Sequence, residues 1–202
     1  MHLPSATAVI ADVHLGYGEA RHRGGEAVPC QGAATVLDPL RPMLLAHSVR
    51  RLVIAGDLFE AGPVASLVKE LLAWSAEVGS ELFAVVPGNH DRHLAAKAPH
   101  LPLYPDGVMV GRWHVVHGDK PLPDGFVIQG HEHPVARWGG QACGACYLIG
   151  ERRIVVPAFS ADAAGVNVLH DPRWGAFRCC VIAGEKILDF GAVSECRKQQ
   201  IR

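Results

Sequence analysis

Apolar positions in the first ninety residues alternate between short continuous runs and runs at helical spacing. Residues 6–11 form a short apolar strand that ends at Asp12. Over residues 33–47, Leu37, Leu40, Leu44 and Leu45 recur at helical spacing, and Pro39 and Pro42 are expected to interrupt that helix. Residues 51–55 read as a buried strand running into Gly56-Asp57, and residues 64–78 as an amphipathic helix. Residues 81–86 give a third strand, followed by Pro87-Gly88-Asn89-His90-Asp91. This strand–helix alternation predicts a doubly wound parallel sheet. Beyond residue 106 the runs shorten and turn residues separate most of them. Strands are expected at 107–110, 113–116, 125–129, 145–149, 152–156, 176–182 and 186–189. They predict a second, mostly antiparallel sheet packed on the first. The fold class that follows is α/β, with two packed mixed sheets flanked by helices. Residues 194–202 are polar and are expected to fray. No repeat or linker divides the chain, so residues 1–202 are read as one domain.

Composition narrows the functional classes. Hydrophobic residues make up 49% of the 202 positions and charged residues 19%, which suits a packed core. The formal net charge of -1 excludes a bulk electrostatic drive toward nucleic acid, so any affinity for anions has to be local. No apolar run reaches bilayer length and no secretory leader is evident; a cytoplasmic protein with reduced thiols and no membrane partner is expected. Cys143-Gly-Ala-Cys146 has the spacing of half a zinc site, but Cys179-Cys180 makes a poor second half. These thiols read as small buried strand residues. Twelve histidines in 202 residues is a high count, and most of them are clustered.

The clusters lie at strand ends, where open α/β sheets bind ligands. Asp12-Val13-His14, Gly56-Asp57, Gly88-Asn89-His90-Asp91, His117-Gly118-Asp119 and Gly130-His131-Glu132-His133 each follow an apolar strand. Carboxylate, amide oxygen and imidazole suit Mn, Fe, Zn or Ni, and the lack of cysteine argues against a closed structural zinc site. The donors are too many for one ion. Two divalent ions sharing a carboxylate, about 3.5–4 Å apart, would use them. Two dications against the carboxylates of Asp12 and Asp57 leave a charge of about +2, or about +1 with a hydroxide, which attracts a phosphoryl group. Gly56, Gly88, Gly118 and Gly130 let the backbone turn beside these donors.

Asp-x-His, Gly-Asp, Gly-Asn-His-Asp, His and Gly-His-x-His, in that order, resemble the pattern of the calcineurin-like metallophosphoesterases. The blocks run from Asp12 to His133. The resemblance implies a four-layer α/β/β/α sandwich and a phosphodiesterase or phosphatase with two divalent metals, Mn²⁺ first among them. It implies that Asp12, His14 and His133 hold one metal, that Asn89, His117 and His131 hold the other, and that Asp57 bridges them. A bridging hydroxide would attack phosphorus. His90 would protonate the leaving oxygen or stabilise the phosphoryl group, and Asp91 would orient His90. The Ala11-Asp12-Val13-His14-Leu15-Gly16 segment, with Arg21 and Arg23 after it, resembles the DNA ligase-associated metallophosphoesterases. So does the stretch from Arg153 to Ser160. That likeness implies a DNA-repair setting beside an ATP-dependent DNA ligase, a helicase and an exonuclease, with a nucleotide or nucleic-acid end as substrate.

Arg21, Arg23, Arg92 and His93 follow the metal and catalytic loops and are candidate phosphate contacts. Tyr17, His22 and Trp138 read first as packing residues and second as base-stacking platforms. Asp119 and Glu132 are expected to tune the site or face solvent. Two other functions compete. A lipid-precursor pyrophosphohydrolase of the same superfamily would need an apolar cap, for which residues 95–105 leave little room. A non-catalytic binding scaffold would be expected to have lost ligands that are present here. The sequence leaves a homo-oligomer open.

Overall fold

The computed structural model describes residues 1–138 and 141–199. Strands β1 (Thr7–Ile10), β2 (Arg51–Ala55) and β3 (Glu81–Val86) pair in that order as a wholly parallel sheet. Between β1 and β2 come helices α1 (Tyr17–Arg23), α2 (Ala33–Leu37) and α3 (Arg41–Ala46). Helix α4 (Ala65–Val78) joins β2 to β3, and the short α5 (Leu94–Lys97) follows β3. Pro39 and Pro42 do interrupt the second helical region. A 3₁₀ turn over Asp38–Leu40 separates α2 from α3, because proline supplies no N–H to continue the ladder.

The second sheet contains β4 (Val108–Val110), β5 (Trp113–Val116), β6 (Phe126–Gln129), β7 (Pro134–Trp138), β8 (Gln141–Ile149), β9 (Arg153–Val155), β10 (Val166–Asn167), β11 (Arg178–Ala183) and β12 (Lys186–Ala192). Helix α6 (Val193–Gln199) follows. Most pairings are antiparallel, as expected, but β5–β6, β6–β9 and β7–β10 run parallel. The mixed character expected of both sheets therefore belongs to the second alone. Residues 193–199 are helical rather than frayed, with Val193 and Cys196 buried against the outer face; residues 200–202 lie outside the described residues.

Three apolar layers hold the stack together. On β2, Leu52 and Ile54 point toward α2–α4 and pack with Leu37, Leu44, Leu71 and Trp74. Val53 and Ala55 point the other way and meet Val110, Val115 and Val156 of the second sheet. This two-residue alternation is what a strand buried on both faces requires. The far side of the second sheet buries Leu148, Val155, Leu169, Trp174 and Cys179. The order is helices, sheet, sheet, then α6 with short 3₁₀ turns, which is the α/β/β/α sandwich. Cys146, Cys179 and Cys180 are buried in strands as expected, Cys196 is buried on α6, and the Cys143 side chain lies outside the described residues. No helix among the described residues is long and apolar enough to cross a membrane.

Candidate metal centre

The loops leaving β1 and β2 are zipped together by backbone bonds. Asp12 N–H donates to the Gly56 carbonyl at 3.1 Å, His14 N–H to Asp57 at 2.9 Å and Leu15 N–H to Leu58 at 2.8 Å. Ser160 N–H reaches the Asp12 carbonyl at 3.1 Å, and Ala158 bridges Ala11. The stretch through Pro157-Ala158-Phe159-Ser160 thus braces the first loop from the second sheet.

The seven candidate ligands converge here. Carboxylate and imidazole donors of Asp12, His14 and His133 fall within 4.8 Å of one another, and so do those of Asp57, His117 and His131. Asp12 Oδ1 lies 3.5 Å from His117 Nδ1, so the two groups adjoin. Asp57 Oδ2 lies 3.4 Å from His117 Nε2, and its Oδ1 accepts the His90 N–H at 2.8 Å. Asn89 Oδ1 and His131 Nδ1 each lie 3.1 Å from His117 Nε2. Asp12 Oδ2 accepts the His131 N–H at 2.9 Å and lies 3.6 Å from His133 Nε2.

Five of these donors sit in the left-handed backbone region, with φ of 55° at Asp12, 51° at His14, 43° at Asp57, 68° at His131 and 42° at His133. Such angles cost free energy for non-glycine residues and persist where the surroundings impose them. A Cβ on Gly56, itself at φ 89°, would fall inside the His117 ring, and one on Gly88 would collide with Asp57.

Asp12, His14, Asp57 and His117 are buried. Asp12 Oδ1 and His14 Nε2 are both sealed from solvent without a hydrogen-bond partner. An unpaired buried carboxylate oxygen and an unpaired buried imidazole nitrogen are costly unless a cation receives them. Together with the sulfur-free donor set, they fit divalent metal ions. Burial pushes the His14 pKa down, against the nearby Asp57 and Glu60 carboxylates, which favours the neutral ring a metal needs. Burial opposes protonation of His133 too, but hydrogen bonding to Asp12 and the Ala164 carbonyl and the charges of Asp12 and Asp57 together outweigh it and leave that ring above its ordinary value.

Glu60, unforeseen in the sequence, belongs to a third group with His14 and His90. Its Oε2 accepts from His14 Nδ1 at 2.7 Å, and its backbone carbonyl accepts from His90 Nδ1 at 2.7 Å. The available signal was a carboxylate three residues past Asp57 at the end of β2. The contact expected from Asp91 to the His90 ring is not made. Asp91 is buried, and its carboxylate accepts from the N–H groups of Leu58, Phe59 and Gly88 at 2.9–3.0 Å. Burial raises its pKa to about 6. The physical reason is competition: the carboxyl saturates stranded loop amides, and the nearer carbonyl of Glu60 takes the ring.

Arg92 and His93 line a cavity of about 390 Å³ beside His90, together with Lys97, which the sequence reading passed over. Arg21 stacks over Tyr17 at 4.7 Å and pairs with Glu26 at 3.5 Å, while Arg23 lies exposed at the end of α1. Tyr17 lines a separate cavity of about 340 Å³ with His14, Gln31, Phe159 and Ser160. Trp138 packs on Phe190 at 4.9 Å and His22 contacts Cys30, so neither stands free as a stacking platform. Glu132 pairs with Arg173 at 3.3 Å, and Asp119 lines a third cavity with His117.

A sequence model described as calcineurin-like phosphoesterase matches residues 6–138. No curated protein matches the chain. Among solved structures, the Pseudomonas putida nuclease MPE has the same fold, with a TM-score of 0.74 and 21% identity over 93% of this chain and 89% of that one.

Proposed function

The chain belongs to the calcineurin-like phosphoesterase family, and from the phosphoric ester hydrolase which that membership makes it we propose a phosphodiesterase of nucleic acid or nucleotides using two divalent metal ions. The observation that carries the reading is the meeting of two donor groups, with the buried, unpartnered Asp12 Oδ1 and His14 Nε2 aimed into it. Asp12, His14 and His133 would hold one ion, Asn89, His117 and His131 the other, and Asp57, whose carboxylate groups with His117 and His131, would bridge. When bound, the ions supply Lewis-acid charge for the phosphoryl oxygens and the means to ionise water near neutral pH. His90 donates its Nδ1–H to the Glu60 carbonyl, so Nε2 would be the nitrogen turned to the leaving oxygen, and the ring as imidazolium would give its Nε2 proton to that oxygen while keeping Nδ1–H on Glu60. Asp57 fixes the same residue through its backbone N–H.

The nucleic-acid preference rests on two supports. The structurally similar Pseudomonas putida protein is a nuclease, and the cavity beside His90 is cationic. Mn²⁺ suits the mixed oxygen and imidazole set. The resemblance of residues 11–16 and 153–160 to the ligase-associated group supports a DNA-repair setting, and the two segments meet through Ala158 and Ser160. The cavity at His90, beside the proposed general acid, is lined by charged residues, which favours a phosphate-rich substrate over a lipid precursor there.

The test is turnover of bis-p-nitrophenyl phosphate and p-nitrophenyl phosphate by the Mn²⁺-loaded protein. The diester is expected to be cleaved, and Asp57→Asn to lose bound metal and activity together. His90→Ala is expected to keep its metal and lose rate by roughly 10²–10⁴-fold, the range of a general acid. Absence of Mn²⁺-dependent cleavage of either ester would sink the proposal.

A further inference from the structure

We propose that the cavity formed by Arg92, His93 and Lys97 beside His90 binds a second phosphate, carried by the leaving group one link beyond the bond that breaks. The inference rests on the phosphodiesterase reading above and narrows its substrate to a diester within a polynucleotide strand.

Three observations lead there. First, direction. His90 Nδ1 is committed to the Glu60 carbonyl, and the side chain is 39% exposed, so its remaining nitrogen addresses the leaving oxygen from this side. What departs must pass His90, and the space next to His90 is this cavity of about 390 Å³. Second, charge. Among the described residues neither Arg92 nor Lys97 has an ion-pair or hydrogen-bond partner for its side chain, whereas Arg41, Arg173 and Arg178 are each paired with carboxylates. Glu60 is the carboxylate lining the cavity, and its Oε2 is occupied by His14 Nδ1 at 2.7 Å. Two cations thus face a small space against the single carboxylate of Glu60, which is turned to His14, and they leave the cavity with a local excess of positive charge in a chain whose net charge is only -1. An anion that enters is drawn by that excess. Third, placement. His93 sits at φ 63°, a left-handed turn that puts His90, Arg92 and Lys97 around one cavity although the chain reverses between them. A neutral leaving group would make no use of these charges. A nucleoside that carries its own phosphate would.

The experiment compares thymidylyl-thymidine with the same dinucleotide bearing a terminal phosphate at one end or the other, as Mn²⁺-dependent kcat/KM. One phosphorylated form is expected to exceed the bare dinucleotide by roughly tenfold, the effect of a pair of partly screened phosphate contacts. That gain is expected to vanish in Arg92→Ala/Lys97→Ala and to return in part with Arg92→Lys in place of Arg92→Ala. A second readout needs no metal. Binding of a fluorescein-labelled single-stranded 12-mer, followed by anisotropy against salt, is expected to lose about 0.7 from its log–log slope in the double variant, the value for one phosphate contact removed. A gain that persists in the double variant, no gain from either terminal phosphate, or an unchanged slope overturns the subsite. Failure of the parent protein to cleave bis-p-nitrophenyl phosphate would instead overturn the reading on which it rests.

Discussion

Glu60 serves two histidines with two different atoms. Its carboxylate fixes the tautomer and angle of His14, while its backbone carbonyl does the same for His90. Removing the side chain therefore separates the two effects. Glu60→Ala is expected to weaken divalent-metal affinity by roughly 10–100-fold, the usual cost of losing the hydrogen bond behind a metal-ligating histidine. The carbonyl, and with it the His90 ring, should stay. Equilibrium dialysis against Mn²⁺ measures the first, and kcat at saturating metal measures the second; a collapse of kcat at saturating metal would contradict the division. Asp91 works differently. Three amides from two loops converge on its carboxylate, so Asp91→Ala strands buried donors. A loss of about 2–4 kcal/mol in urea unfolding is expected, and a change below about 0.5 kcal/mol would show that the loops hold without it.

At the scale of elements, each strand delivers its donors because its carboxyl end is followed by a turn that other side chains could not make. Gly56 is the sharpest case, since a methyl group there would occupy the place of the His117 ring. Gly56→Ala is expected to displace His117 and lower bound metal from two ions to one, read by metal analysis of the dialysed protein; two ions retained would refute the packing argument. The apolar runs made β1, β2, β3 and α4 readable to within about a residue, because burial on both faces leaves a continuous signal. The donors were readable for a related reason: they sit where those runs stop. Helix α1 was missed. It starts behind Gly16 in the left-handed region, with no side-chain cap, and shows no apolar periodicity. Strand β7 begins at a proline directly after the ligand motif and was hidden by it. Glu60 escaped because its partners, His14 and His90, are distant in sequence and share no local motif with it. The Asp91 role was misread for the converse reason: adjacency to His90 suggested a contact that the loop amides had already claimed.

For the molecule as a whole, the centre is where the two sheets are joined, and that makes metal a stability variable. The loops of β1, β2 and β3 contribute Asp12, His14, Asp57 and Asn89 from one sheet, and those of β5 and β6 contribute His117, His131 and His133 from the other. The apolar layer between the sheets continues up to these loops through Ala11, Ala55 and Val86. Above it the packing changes to two carboxylates no more than 2% exposed, with histidines around them. Without cations that region stabilises folding little, because desolvated carboxylates that lack full partners cost several kcal/mol. A divalent ion on each donor group would reverse the sign and tie one sheet to the other. Binding to the folded state at a hundred times the dissociation constant adds about 2.7 kcal/mol per site. For a chain of this length each kcal/mol moves the midpoint by about 2–4 °C. Mn²⁺ is thus expected to raise the thermal midpoint by roughly 5–10 °C for the tighter site alone, and a chelator to reverse it. Asp57→Asn, which removes the buried charge of the second donor group and the proposed bridge, should lose most of that rise. The discriminating comparison is hydrogen exchange of β2 and β6 amides with and without metal. If the ions join the sheets, protection rises on both strands together. Protection rising on β2 alone would mean that the cations sit within the first three loops and that the second sheet takes no part in holding them.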